Sequence, residues 1–297
     1  MSTLIPISHR GFSSTDEVMH RRLSASHARR LSPALDTPDL EADLAREADV
    51  RRVERAFVEG ERHALAGALR AVPSEPAAFI RWFERLEQTG PGQHDPLFPW
   101  LAAHATRQQM CWFLEQELAG EAGFDDLVAL TQVKLPSRPK LEMARNYWDE
   151  MGQGHEGGMH GPMLGALAQS LALKSDGQTV WQALALSNLM VALATTRHYA
   201  YQSVGALGVI ELTAPGRSQL VNAGLKRLGI DGAARRYYAL HATLDIRHSA
   251  TWNREVLQPL VASDPRIGPL IAEGALLRLR AGQRCFERYR QELWATE

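Results

Sequence analysis

The stretch Tyr237 to Arg254, reading Y-Y-A-L-H-A-T-L-D-I-R-H-S-A-T-W-N-R, narrows the choice of folds more than any other part of the chain. It contains neither glycine nor proline and predicts a helix. On a helix, residues at i, i+4 and i+7 fall on one stripe, so His241, Asp245 and His248 project together. Two imidazoles and a carboxylate are ligand types for iron, manganese or zinc. A single helix presents a single stripe, so a complete site needs inward carboxylates and imidazoles from facing helices, that is, a bundle. The plainer reading is an Asp–His pair on a solvated face, and only further ligand-type residues elsewhere in the chain weigh against it.

The remaining sequence reads as helical. Apolar residues recur at three and four from Leu40 to Val72, ended by Pro73 and Pro76, and a short helix over 77–88 carries Phe79, Trp82 and Phe83. Helical segments are then expected at 101–120, 124–134, 139–151, 160–173, 178–212, 216–228, 232–261 and 267–294. They are punctuated by Pro136, Pro139, the glycines of 152–158, Pro215, Gly229 and Pro265. The apolar face of the 139–151 segment is read as Leu141, Ala144 and Trp148. No stretch shows sustained strand alternation, so the class is all-α. Three regions are expected: an extended N-terminal arm at 1–36, rich in Ser, Arg and His; an N-terminal helical layer at 37–99; and a metal-binding helical domain at 100–297.

A net charge of −1 gives no basis for a nucleic-acid or anionic-membrane partner. The opening residues lack the apolar core of a signal peptide and no run is long enough for a membrane span, so the cytoplasm is expected. Cys111 and Cys285 are far apart and show no C-x-x-C spacing, which leaves any metal to His, Asp and Glu.

Four other regions offer such ligands. Glu211 lies in the apolar stretch S-V-G-A-L-G-V-I-E-L-T, where a lone carboxylate is costly to bury without a partner, although the nearby Pro215 also allows an exposed helix end. His160 opens a helix directly after the loop M-G-Q-G-H-E-G-G-M, and Glu150 closes the helix before it. Glu117 and Glu121 share a helix face one turn apart, with Glu115 rotated away. Two tempting motifs fail. His155, Glu156 and His160 have one residue too many for H-E-x-x-H, and Glu17-x-x-His20 has no second copy, as a ferritin-like site requires.

These residues resemble those of the haem-oxygenase-like diiron oxidases, the iron-containing redox enzymes. That family carries a Glu on the first core helix, a His on the second, another Glu, and then H-x-x-x-D-x-x-H. The matching positions are Glu117, His160, Glu211, His241, Asp245 and His248, with Glu150 matching an additional Glu found in N-oxygenating members. Glu117 is taken over Glu121 because it follows Trp112, Phe113 and Leu114, whereas Gly120 and Gly123 flank Glu121. The resemblance covers 100–260 and implies a haem-oxygenase-like helical bundle, here with an added N-terminal helical layer. It implies two Fe(II) ions with O2 as co-substrate, and oxidation of a small amine- or acid-containing metabolite by N-oxygenation or by C–H or C–C oxidation. Glu150 is then both a metal ligand and the residue that bears on the outcome of catalysis. An external electron donor and a homodimer are further expectations. The competing classes are a metal-free enzyme of the same fold, of the thiaminase or cofactor-biosynthesis kind, and a non-enzymatic iron-binding protein.

Overall fold

In the computed structural model, which describes residues 14–33, 35, 39–121, 123–174 and 179–295, every regular element is a helix. In chain order these are α1 (Ser14–Leu31), α2 (Leu40–His63), α3 (Pro76–Thr89), α4 (Leu97–Ala103), α5 (Arg107–Gly120), α6 (Phe124–Thr131) and α7 (Ser137–Glu150). There follow α8 (His160–Leu171), α9 (Trp181–Thr195), α10 (Ala200–Arg227), α11 (Arg236–Thr251), α12 (Gln258–Ser263) and α13 (Ile267–Trp294). A π-helical turn, Trp252–Leu257, joins α11 to α12.

The two longest late helices, α10 and α13, form the axis of the bundle, and α3, α4, α9 and α11 also pack on α10. Their crossing is backbone against backbone. A Cβ on Gly205 would lie 1.9 Å from the Ile271 carbonyl oxygen, and one on Gly274 would lie 1.8 Å from that of Gln202. Only glycine permits so close an approach. Helix α9 is apolar around most of its circumference and is buried between α1, α5, α6 and α13, as an all-round hydrophobic helix must be. The hydrophobic core runs without a break from Val58 in α2 to Leu293 in α13, so the expected N-terminal layer shares its core with the metal-binding region. Among the described residues, no helix is long and apolar enough to cross a membrane.

Several boundaries differ from the sequence reading. Within the expected extended arm, residues 14–31 are the helix α1, laid on α9; residues 1–13 lie outside the described ones. The 101–120 segment is split: its first residues end α4, and α5 starts at Arg107, where Thr106 and Gln109 form a reciprocal capping box. The 178–212 segment is two helices, because the chain turns extended at Thr196. There the Thr195 hydroxyl donates to the Val191 carbonyl at 2.8 Å, a local bond that competes with helix continuation. Pro215 does not end its helix. α10 continues through it, at the cost of the hydrogen bond that an N–H at 215 would give the Glu211 carbonyl.

Helix α7 is turned the other way from expectation. Leu141, Ala144 and Trp148 face outward, and the buried stripe is Pro139, Glu142, Met143, Asn146 and Glu150. A polar stripe on the inner face of a helix needs partners waiting inside, and those partners define the site.

Candidate metal centre

Glu150 and His160 are ten residues apart and adjacent in space because the loop between them is pinched shut. Met151 and Met159 form an isolated antiparallel bridge. The pinch depends on Gly152, whose φ is +60° and whose Cβ, were there one, would fall 2.3 Å from the Gly158 carbonyl carbon. The last residue of α7 and the first of α8 are thereby held side by side, with Glu150 Oε2 and His160 Nδ1 2.6 Å apart. His155 and Glu156 stay at the exposed tip of this loop.

The stripe on α11 faces this pair. His241 meets His160 edge to face, with ring centroids 4.7 Å apart. His248, two turns further on, places Nδ1 3.5 Å from Glu211 Oε2 of α10. Glu211 is fixed from α7, where Asn146 donates to its Oε1 at 2.6 Å. The ligand atoms fall into two trios, Glu150–His160–His241 and Glu150–Glu211–His248, each within 4.8 Å. Atoms bound to one ion at ~2.1 Å are up to ~4.2 Å apart, so each trio is close to coordinating distance around a common centre. Glu150 belongs to both.

Hydrogen bonding at the rear of two imidazoles selects their tautomers. His241 Nδ1 donates to the Tyr237 carbonyl at 2.8 Å, which leaves Nε2 as a lone pair. His248 Nε2 donates to Asp149 Oδ2 at 3.0 Å, which leaves Nδ1 as the lone pair. An outer hydrogen bond of this sort orients a metal-binding histidine and makes it more basic. In front, His160 Nδ1, His248 Nδ1 and Asp245 Oδ1 are buried without a hydrogen-bond partner. At 2.6 Å, the His160 and Glu150 atoms are close but not aligned as donor and acceptor, the relation expected of two groups aimed at one cation.

The electrostatics agree. Burial, with Glu211 and Glu121 nearby, pushes Glu150 up to about 9, and burial together with Glu211 and Glu150 pushes Asp245 far above the carboxylate range. Burial, reinforced by a neighbouring imidazole, pulls His160 and His241 down to about 4, so both are neutral ligands at neutral pH. At His248 burial also acts downward, but Glu211 and Asp149 outweigh it and raise the imidazole to about 9. So many acids in so little water cannot all ionise unless a cation enters, and a cation would displace their protons. The donor set and its orphaned lone pairs therefore fit a metal.

Glu117 is elsewhere. Burial raises its pKa, and its charged neighbours are Arg217, Arg278 and Glu121, with the Tyr289 hydroxyl beside it. Burial also raises Glu121, whose charge acts on Arg278, His160, Glu150 and Tyr237. Neither glutamate belongs to either trio; both line the cavity beside them, one turn apart on α5. Asp149 and Asn146 were missed altogether. For Asn146 the signal was the polar repeat Glu142, Asn146, Glu150 at every fourth position on α7; Asp149 lies off that repeat.

A cavity of about 130 Å³ opens onto this cluster, lined by Glu150, Glu211, His241 and Asp245 and, beyond them, by Tyr237, Tyr238 and apolar side chains.

Comparison with known families matches residues 111–283 to the family described as iron-containing redox enzymes. Two crystal structures of a CADD-like protein of unknown function from Nostoc punctiforme share the all-α fold. One is 17% identical, covering 73% of this chain and 95% of that one, with a TM-score of 0.55. The other is 18% identical, covering 81% and 98%, with a TM-score of 0.50. The haem-oxygenase-like bundle is therefore the fold of this chain. No curated protein matches it.

Proposed function

The chain belongs to the iron-containing redox enzyme family, and on that premise we propose that it is a non-haem diiron oxidase or oxygenase. It uses O2 to oxidise a small amine- or acid-containing metabolite, by N-oxygenation or by C–H or C–C oxidation. The observation that carries this reading is the pair of ligand trios sharing Glu150. His160 and His241 would hold one iron and Glu211 and His248 the other, with Glu150 a member of both trios. Asp245, with its unpartnered Oδ1, completes the set from the same stripe. Bound there, two ferrous ions would supply electrons for reducing dioxygen, with an external donor needed to restore them.

The protein's own contribution is positioning. Asp149 and the Tyr237 carbonyl hold the imidazole N–H groups away from the cavity, Asn146 holds Glu211, and the Gly152 pinch holds Glu150 against His160. Phe98, Phe124, Leu186, Met190 and Ile210 line the cavity with apolar surface that limits water near the reacting atoms. We place the enzyme in the cytoplasm as a homodimer.

The test is anaerobic loading with Fe(II), iron analysis after desalting, and O2 uptake on exposure to air. Two irons per chain, one for each trio, and O2 consumption tied to iron content are expected. One tightly held zinc, iron without O2 uptake, or full activity in metal-free protein would each overturn the reading.

A further inference from the structure

The cavity that touches the carboxylate cluster also touches two guanidiniums, those of Arg217 on α10 and Arg278 on α13. Both are half-buried side chains that line the cavity. Arg217 follows Glu211 by six residues on one helix, which sets it ~9 Å along the axis from the metal ligands. Glu117 lies one turn from Glu121 on α5 and joins this second level.

Neither guanidinium is held by a carboxylate ion pair among the described residues. An arginine carries five N–H donors and stays charged in a protein. Arg217 donates to Thr213 Oγ1 at 3.0 Å and lies over the Phe98 and Phe286 rings at 5.9 and 5.6 Å. Among the described residues Arg278 makes no hydrogen bond and no ion pair, and Glu117 forms no ion pair with either arginine. Buried charge left in this condition is costly, and a structural Arg–Glu–Arg triad would have closed to contact. Arg217 and Arg278 both feel Glu117, and Arg278 also feels Glu121, yet neither carboxylate closes onto a guanidinium as an ion pair among the described residues. Burial and the adjacent Arg278 already lower Arg217 to about 10, a strain that a bound anion would relieve.

We propose that Arg217 and Arg278 form the anion seat of this cavity, binding the carboxylate of a small substrate whose other end points toward Glu150 and Asp245. Glu117 offsets part of the charge of the pair and competes with a bound carboxylate for it. At about 130 Å³ the cavity is comparable to the ~150 Å³ cavity that admits benzene, so the substrate is a small organic acid and not a long-chain one. A guanidinium pair suits the planar, two-oxygen geometry of a carboxylate. As a substrate site the seat rests on the diiron reading, whereas anion binding by itself does not require the metal.

The experiment uses the full chain, iron-free and iron-loaded, titrated calorimetrically with acetate, hexanoate and benzoate, each against its amide, and with inorganic phosphate. At least one carboxylate should bind the iron-free protein about tenfold or more tightly than its amide and more tightly than phosphate. Arg278→Gln should abolish that preference, Arg278→Lys should retain part of it, and the iron bound per chain should be unchanged in both. Should Arg278→Gln fail to fold, Glu117→Gln decides, since removing the competing carboxylate should tighten carboxylate binding several-fold. Equal binding of acids and amides, tighter binding of phosphate, or an unaltered preference in a folded Arg278→Gln or Glu117→Gln protein would overturn the proposal. So would carboxylate binding seen only with iron and lost in His248→Ala, which would place the carboxylate on the metal and leave the diiron reading intact. Failure of iron uptake with carboxylate binding retained would sink the diiron reading alone.

Discussion

Two buried polar clusters of this protein use the same residue types and reach opposite electrostatic states. In the latch that ties α1 and α2 to α9, one carboxylate meets an imidazole and two guanidiniums. Glu54 takes His27 Nε2 at 2.6 Å, Arg51 at 2.9 Å and Arg30 at 3.4 Å, and the arginines reach on to the Thr195 and Thr196 hydroxyls. Burial works against the Glu54 carboxylate, but these partners prevail and hold it at about 2. In the metal centre Glu150, Glu211 and Asp245 are buried with no Lys or Arg paired to them among the described residues, and Glu150 rises to about 9. Where the chain supplies its own cations, an acid is a structural fastening. Where it supplies neutral imidazoles and one raised histidine, the acids outnumber the positive charge available to them, the condition that a bound cation would relieve.

Removing Glu150 should break this contrast most sharply. In Glu150→Ala both trios lose a member, so iron per chain after anaerobic loading should fall from two to well below one. Iron analysis still finding two would mean that Glu150 is not shared.

The matching change in the latch, Glu54→Ala, should leave iron content untouched and cost about 3–5 kcal/mol, because it strands buried cations. A calorimetric scan should show Tm falling on the order of 5–10 °C. Loss of iron alongside stability would show that the two clusters are coupled.

Acid should loosen the latch through His20, which is buried in α1 against Phe57 and Trp181, with Arg284 of α13 the neighbouring charge. Burial, then Arg284, lowers it from 6.5 to about 4. The folded state therefore holds His20 neutral while the unfolded chain takes up a proton below 6.5. Its contribution is complete above that pH and is lost as pH falls from 6.5 toward 4. At ~1.4 kcal/mol per unit of pKa this is about 3 kcal/mol at most. Comparing His20→Gln with the parent at pH 7 and pH 4.5 by denaturant unfolding should show a smaller pH dependence in the variant.

The smallest effect is expected behind the metal. Asp149→Asn keeps the shape but weakens the hold on the His248 tautomer, and iron affinity should drop ~10–100-fold with stoichiometry preserved. An unchanged affinity in a competition titration against a chelator would show that Asp149 does not orient His248.

How far the site could be read from sequence depended on the range of the forces involved. The α11 stripe is local: His241, Asp245 and His248 follow from 3.6 residues per turn alone, and so does the all-helical class. The burial of Glu211 and its need for polar partners were legible because its neighbours are apolar and a buried carboxylate calls for a partner. Other choices were not local. On α7 the hydrophobic pattern pointed to Leu141 and Trp148 as the inner face, and the fold turned Asn146 and Glu150 inward because the polar partners lay there. Glu117 and Glu121 are equivalent on a helical wheel and differ by one turn of depth. Only the packing of α5 against its neighbours decided that both line one cavity, with Glu117 near Arg217 and Arg278 and the charge of Glu121 reaching Arg278 and His160. Local periodicity determined which side chains share a face; which face turns inward, and at what depth, depends on contacts between residues far apart in sequence, and those exist only once the bundle has closed.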